Sequence, residues 1–176
     1  EIEALIDEYA VPLNEVICRT ERDLSNSRDE ESAFGDLVGQ AVLHQTRADV
    51  AILERNGNTH GFAVGDITLK DIYRLRQYRP PVMLTRLSLD QIQAVLSARN
   101  YQTAGCSFER EEKTIVNLKI HSEPDSTGTY LVAMERQPAY RQFLRSAESD
   151  SVAFDFTGQR VDTALERYLR DVKVIQ

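Results

Sequence analysis

The chain reads as an α+β domain of mixed sheets covered by helices, and three observations predict it. Segments with helical spacing alternate with segments of strand composition, without the strict βαβ rhythm that a purely parallel sheet requires. A hydrophobic fraction of 41% supplies a core of ordinary size, while 28% charged residues supply a solvated surface. The 176 residues fit one domain, with no internal repeat or low-complexity tract to divide them.

Each element follows from local pattern. Ile2, Leu5, Ile6, Tyr9, Leu13 and Val16 stand at helical spacing, with Pro12 expected to kink or end that helix. The polar stretch from Arg19 to Glu31 is expected to be a loop or an edge strand. From Ser32, a capping residue, the apolar positions Ala33, Leu37, Val38, Ala41, Val42 and Leu43 predict a helix. Asp49–Leu53 reads as a short buried strand. Arg55–Gly65 holds three glycines and two asparagines in eleven residues, which marks a loop.

Thr68 is expected to cap the helix Leu69–Leu75, with Asp71 at the capping-box position. Pro80 and Pro81 forbid helix and introduce a strand, Val82–Leu87. Ser88 then caps the helix Leu89–Arg99. Thr114–Ile120 and Tyr130–Met134 read as strands around a turn at Pro124–Gly128. Val161–Val172 is an amphipathic helix with Val161, Leu165, Tyr168 and Leu169 on one side.

Composition excludes several functions. The 21 Lys+Arg against 28 Asp+Glu give a net charge of −7, which opposes binding to a nucleic-acid polymer or an anionic membrane. No apolar run approaches the roughly 18–20 residues of a membrane span. Cys18 and Cys106 lie far apart, without CxxC spacing, and could pair or stay free. His44, His60 and His121 include no i, i+4 pair, and no P-loop, GxSxG or GxGxxG is present. The acidic run Asp29, Glu30 and Glu31 reads as a solvated run before a helix start. No nucleophile, base and orienting group assemble in this pattern, so no catalytic residue and no metal site are expected within the chain.

Six segments in fixed order carry a resemblance. They are RDEESAFGDLVGQAV (28–42), ADVAIL (48–53), GDITLKDIY (65–73), PVMLTRLSLDQIQAVL (81–96), VNLKIHSEPDSTGTYLVAM (116–134) and TALERYLRDVKVI (163–175). Together they resemble the C-terminal domain of the 5′-nucleotidase family of nucleotidases, UDP-sugar hydrolases and cyclic phosphodiesterases. The resemblance implies that this domain binds the organic part of a substrate while a preceding metallophosphatase domain, holding a divalent metal pair, does the chemistry. It also implies that residues 1–18 are the remnant of an interdomain linker helix and that 19–176 form the recognition domain. The opening EIEALIDEYAVPLNEV lacks an initiator Met and a signal core, which fits a piece of a longer polypeptide. A periplasmic or extracellular setting is implied by the family alone.

The resemblance also nominates substrate-binding residues. Arg28 matches one arginine of the pattern R-x-R-E-S-x-x-G-N, with Glu30 in place of the second and Asp36 in place of the asparagine. The loop N-G-G-G-x-R is represented by Glu54 to His60, where Asn56 supplies the amide and His60, or Arg55 by a different path, a cation. Tyr78 stands for the stacking aromatic of P-F-G-N, and Tyr140 for that of G-G-D-G-[FY]. Each also has a plain structural reading: a salt-bridged Arg28, a solvated His60, surface tyrosines. The implied partners are a nucleotide or related phosphorylated metabolite and the chain's own N-terminal domain. The alternatives are a ligand-free interaction domain with a decayed cleft, or a domain for a non-nucleotide substrate of the thiosulfate-oxidation hydrolase type.

Overall fold

The computed structural model describes residues 12–55, 60–75, 80–144 and 152–176. Four consecutive apolar residues, Val50–Leu53, form strand β2, and all four are buried. A strand apolar on both faces must be covered on both, so it lies inside a sheet rather than at its edge. Its neighbours are β5 (Gln102–Ala104), antiparallel, and β8 (Tyr130–Glu135), parallel. Beyond β8 come β4 (Pro81–Leu87) and β9 (Asp155–Arg160), giving the order β5-β2-β8-β4-β9. The mixed sheet expected from sequence is thus present.

Strand alternation divides the core in two. Ala51, Leu53, Val82 and Ala133 point to one face. There they meet helix α1 (Ala33–Thr46), through Phe34, Val38, Ala41 and Val42, and the C-terminal helix α5 (Val161–Val172), through Leu165 and Leu169. Val50, Ile52, Met83, Val132 and Met134 point to the other face. That face is covered by helix α3 (Leu89–Ala98) and the hairpin of β6 (Cys106–Glu111) and β7 (Thr114–Ile120). Burying each large side chain stabilises the fold by roughly 1.5–3 kcal/mol before conformational entropy is subtracted.

The helix boundaries follow the capping residues. Ser32 Oγ accepts from the Gly35 N–H at 3.1 Å, and Arg47, in the left-handed region at φ 58°, ends α1. Ser88 and Gln91 form a full capping box on α3, at 3.3 and 2.9 Å. On helix α2 (Leu69–Leu75) the expected cap is rearranged: the Thr68 N–H and hydroxyl both donate to the Asp71 carboxylate, at 2.8 and 2.6 Å.

One expectation is corrected. Val16, grouped with the first helix by spacing, opens strand β1 (Val16–Thr20). That strand lies between β10 (Val174–Ile175) and β3 (Gly65–Thr68) in a second, three-stranded sheet. Pairing with strands far away in sequence outweighs helical spacing here, and Ile17 and Cys18 are buried as a result. Of the rest of the predicted segment, Pro12 and Leu13 are helical, and residues 1–11 lie outside the described residues. Strands β7 and β8 stand on either side of the expected turn; they do not pair with each other, since β7 pairs with β6 and β8 sits between β2 and β4. The turn is held by Asp125, whose Oδ1 accepts from the Thr127 and Thr129 N–H groups at 2.8 and 3.1 Å. Among the described residues, no helix is long and apolar enough to cross a membrane.

Candidate functional site

The sheet topology brings separate stretches of chain to one end. Because β2 and β8 are parallel neighbours, the chain leaves both at the same edge, and β4, antiparallel to β8, enters there with Val82 opposite Glu135. Strand β5 also starts there, with Gln102 opposite Leu53. The start of α1 is fastened to that point: the Ser32 N–H donates to Gln102 Oε1 at 3.4 Å, and Gln102 Nε2 donates to Asp36 Oδ1 at 2.8 Å. The approach is close enough that a Cβ on Gly35 would meet Gln102 Oε1 at 2.2 Å. Carboxyl ends of neighbouring parallel strands are where sheets of this kind hold ligands.

Arg55, just after β2, organises the mouth. Its Nε donates to the Tyr101 carbonyl at 3.0 Å, one terminal nitrogen donates to the Asp29 carbonyl at 2.7 Å, and the other lies 3.9 Å from Glu31. Thr103 Oγ1 donates to the same Glu31 carboxylate at 3.3 Å. Ser27 Oγ accepts from the Asp29 and Glu30 N–H groups at 3.3 and 3.1 Å, closing the loop from below. Arg28, exposed at the tip of this loop, is therefore carried on an ordered segment, and the acidic run expected to be free solvent surface is partly tied down.

A second cluster adjoins the first. Helix α4 (Arg136–Ala139) follows β8 and passes into a π-helical turn, Tyr140–Leu144. Arg141 of that turn donates to Glu54 Oε1, and Arg99, following α3, reaches Glu54 Oε2 at 3.9 Å. Tyr101 lies beside them with its ring buried. Burial raises its phenol pKa first, the Glu54 charge raises it further, and Arg141, charged and hydrogen-bonded to the hydroxyl, opposes both.

The nominated residues fall into three groups. Arg28 and Tyr140 stand at this end of the sheet, both exposed, and Arg55 joins them as a half-buried clamp rather than as a free cation. His60 is exposed in a hollow lined by Phe62, Asp66, Ile67 and Asp71, none of which belongs to the strand-end cluster, so its surroundings are acidic. Asn56 and Tyr78 lie outside the described residues. Sequence reasoning named Glu54 only as the start of a loop and overlooked Arg99, Tyr101 and Arg141. Their meeting depends on strand pairing, and only the charged residue directly after a buried strand, Glu54, offered a local signal.

The arrangement is suited to binding a polar ligand, with guanidinium groups, amides and a ring at one edge. Among the described residues, no group of three His, Cys, Asp or Glu side chains could hold a metal ion.

Comparison with known proteins agrees with the fold. Residues 10–140 match the family described as 5′-nucleotidase, C-terminal domain. Protein UshA of Escherichia coli is 27% identical over 133 residues, 70% of this chain and 24% of UshA. The Salmonella typhimurium silent protein UshA(0) is 28% identical over 123 residues, 64% of this chain and 22% of its own length. The chain thus spans about a quarter of the curated relatives it matches.

Among solved structures, the 5′-nucleotidase precursor of Thermus thermophilus superposes with a TM-score of 0.79 at 18% identity, over 99% of this chain and 40% of that one. The NAD nucleotidase of Haemophilus influenzae gives 0.78 at 12% identity, over 99% and 38%. The Thermus thermophilus sulfate thiohydrolase SoxB gives 0.72 at 18%, over 99% and 35%. These superpositions establish a shared fold. With the family match covering most of the chain, this protein belongs to the 5′-nucleotidase C-terminal domain family.

Proposed function

We propose that this chain is the substrate-recognition domain of a two-domain, metal-dependent phosphoester hydrolase, binding the nucleoside or other organic part of the substrate at the strand end described above. The observation that carries the reading is the convergence, on one sheet edge, of the Arg28 loop, the segment after β2 and the turn containing Tyr140. These are the stretches that the family resemblance nominates. In this reading Tyr78, which precedes β4, stacks on the base, and each such stacking contact contributes roughly 1–3 kcal/mol.

The chain's part is to bind and orient. The divalent metal pair that would polarise the phosphoester belongs, in this proposal, to a metallophosphatase domain of the same polypeptide, acting in a periplasmic or extracellular setting. Equilibrium binding of AMP, adenosine and UDP-glucose tests the reading. Saturable binding abolished by Tyr78→Ala supports it; absence of binding at millimolar ligand overturns it and leaves the ligand-free interaction domain.

A further inference from the structure

We infer that a hollow between α1, Tyr168 of α5 and the end of β10 binds a free α-amino acid with an apolar side chain. The hollow encloses about 250 Å³. Gly35 and Gly39 of α1 approach β5, whereas Ala33, Asp36, Leu37 and Gln40 stand at helical spacing on the side that lines the hollow. Its floor is apolar: Leu24 and Leu37 are buried and Ile175 is half-buried. Arg22, Asp36, Gln40 and Tyr168 add polar groups around that floor. Among the described residues, the Arg22 guanidinium, the Gln40 amide and the Tyr168 hydroxyl have no hydrogen-bond partner. Asp36 uses Oδ1 to accept from Gln102 Nε2 at 2.8 Å, which leaves Oδ2 for a ligand.

The walls are set before a ligand arrives. The Arg22 N–H donates to Thr20 Oγ1 at 3.4 Å, that hydroxyl donates to the Arg22 carbonyl at 2.7 Å, and the Glu21 N–H donates to the Ile175 carbonyl at 2.9 Å. An edge contact with His44, at 5.3 Å between centroids, orients the Tyr168 ring. Size and charge then select the ligand. Sites for larger organic molecules enclose roughly 300–1,000 Å³, so this hollow suits something smaller than a nucleotide. Its two charged groups, Arg22 and Asp36, have opposite signs and come from different elements. A ligand with one charge pairs with one of them and draws the other out of water unpaired, which is unfavourable. A zwitterion satisfies both, with the carboxylate on the planar Arg22 fork and the ammonium on Asp36. An apolar side chain over Leu24, Leu37 and Ile175 removes their surface from water. A peptide terminus brings only one of the two charges, whereas a free amino acid brings both on one carbon. Asp36 stands where the family pattern has asparagine, so the anionic wall is this chain's own.

The 176-residue chain is titrated with L-leucine, isocaproate, isoamylamine and glycine, followed by calorimetry and by amide chemical shifts. Relative to leucine, these probes lack in turn the ammonium, the carboxylate and the apolar side chain. Wild type is compared with Arg22→Gln, Arg22→Lys and Asp36→Asn, whose amide oxygen still accepts from Gln102. Arg19→Gln is the control, since Arg19 is exposed nearby but pairs with Asp66 at 3.2 Å. Leucine is expected to bind saturably and to shift the amides of Leu24, Leu37, Gln40 and Ile175. Loss of one charge-assisted contact at a partly exposed site weakens binding by roughly 10-fold, so each of the three other probes binds that much more weakly. Arg22→Gln and Asp36→Asn lower leucine affinity by the same factor, Arg22→Lys recovers part of it, and Arg19→Gln changes nothing. The probes also cross over: Arg22→Gln leaves isoamylamine binding unaltered, and Asp36→Asn leaves isocaproate binding unaltered. Unperturbed amide spectra away from the hollow show that the variants fold.

The site is overturned if leucine fails to saturate at tens of millimolar, or if Arg22→Gln and Asp36→Asn bind it as wild type does. Isocaproate or isoamylamine binding as tightly as leucine overturns the amino-acid class, and so does glycine binding as tightly. Shifts confined to the strand-end mouth overturn the location. The inference stands apart from the strand-end reading, which the binding of AMP, adenosine and UDP-glucose tests on its own.

Discussion

Arg55→Gln isolates the clamp at the mouth of the site. The wild-type guanidinium makes two hydrogen bonds, at 3.0 Å to the Tyr101 carbonyl and 2.7 Å to the Asp29 carbonyl, with a longer contact to Glu31 at 3.9 Å. Hydrogen bonds from a charged donor contribute roughly 1.5–3 kcal/mol each. The Asp29 end is solvent-exposed, so the lower half of that range applies to it, and water replaces part of what is lost. The Tyr101 carbonyl, next to a buried ring, loses its donor. A net cost of about 3 kcal/mol follows. For a domain of this size, each kcal/mol lowers Tm by roughly 2–4 °C, so the fall is about 6–12 °C. Differential scanning calorimetry measures it. Hydrogen exchange then asks where the cost falls: amides of the Arg28 loop exchange faster, while those of β6 and β7 keep their protection. A Tm within 1 °C of wild type, with unchanged exchange around Arg28, would refute the claim that Arg55 orders this loop.

Two further predictions concern the framework. A Cβ on Gly61 would lie 1.8 Å from the Leu24 carbonyl oxygen, so Gly61→Ala must separate the Leu24–Phe62 bridge, whose two hydrogen bonds are 2.8 and 3.0 Å. Urea unfolding should register a loss of about 2–3 kcal/mol, and a loss under about 0.5 kcal/mol would mean that this contact relaxes freely. Burial pushes the Cys106 thiol up to about 11 from an ordinary 9.0, against a hydrogen bond from Thr103 that pulls it down. The folded state thus keeps a proton that the unfolded state releases, so this thiol's contribution is intact below about pH 9 and lost as pH rises to about 11, a change of about 2 kcal/mol. Stability measured from pH 8 to 11 should therefore fall more steeply for wild type than for Cys106→Ala, and parallel curves would contradict it.

How much could be read without the structure depends on how local each cause is. Ser32, Ser88 and the stripe of Val161, Leu165 and Leu169 act within one or two turns of chain, so the start of α1 and both ends of α3 and α5 were legible nearly as they stand. Strand β2 was legible because four apolar residues in a row require burial. Strands β5 and β9 were not. Gln102–Ala104 is short and partly polar, and Asp155–Arg160 includes Gly158 at φ 68°, so both are strands only because a neighbour accepts their hydrogen bonds. Val16 failed for the same reason in reverse, as its helical spacing lost to pairing with β3.

The candidate site shows the same division more sharply. The order of six segments was enough to identify the family, because fold-determining patterns survive even where Glu30 and Asp36 depart from its binding motifs. The sequence by itself therefore determined the fold class, the helix caps and the kinship. Which charges face one another was decided only by the tertiary structure. Glu54, Arg99 and Arg141 belong to three separate elements, and each looks like an ordinary surface residue in its own stretch of chain. They meet because β2 runs parallel to β8 and antiparallel to β5. Electrostatic interactions weaken with distance in space, and distance in space is set by pairing between segments that no local pattern encodes.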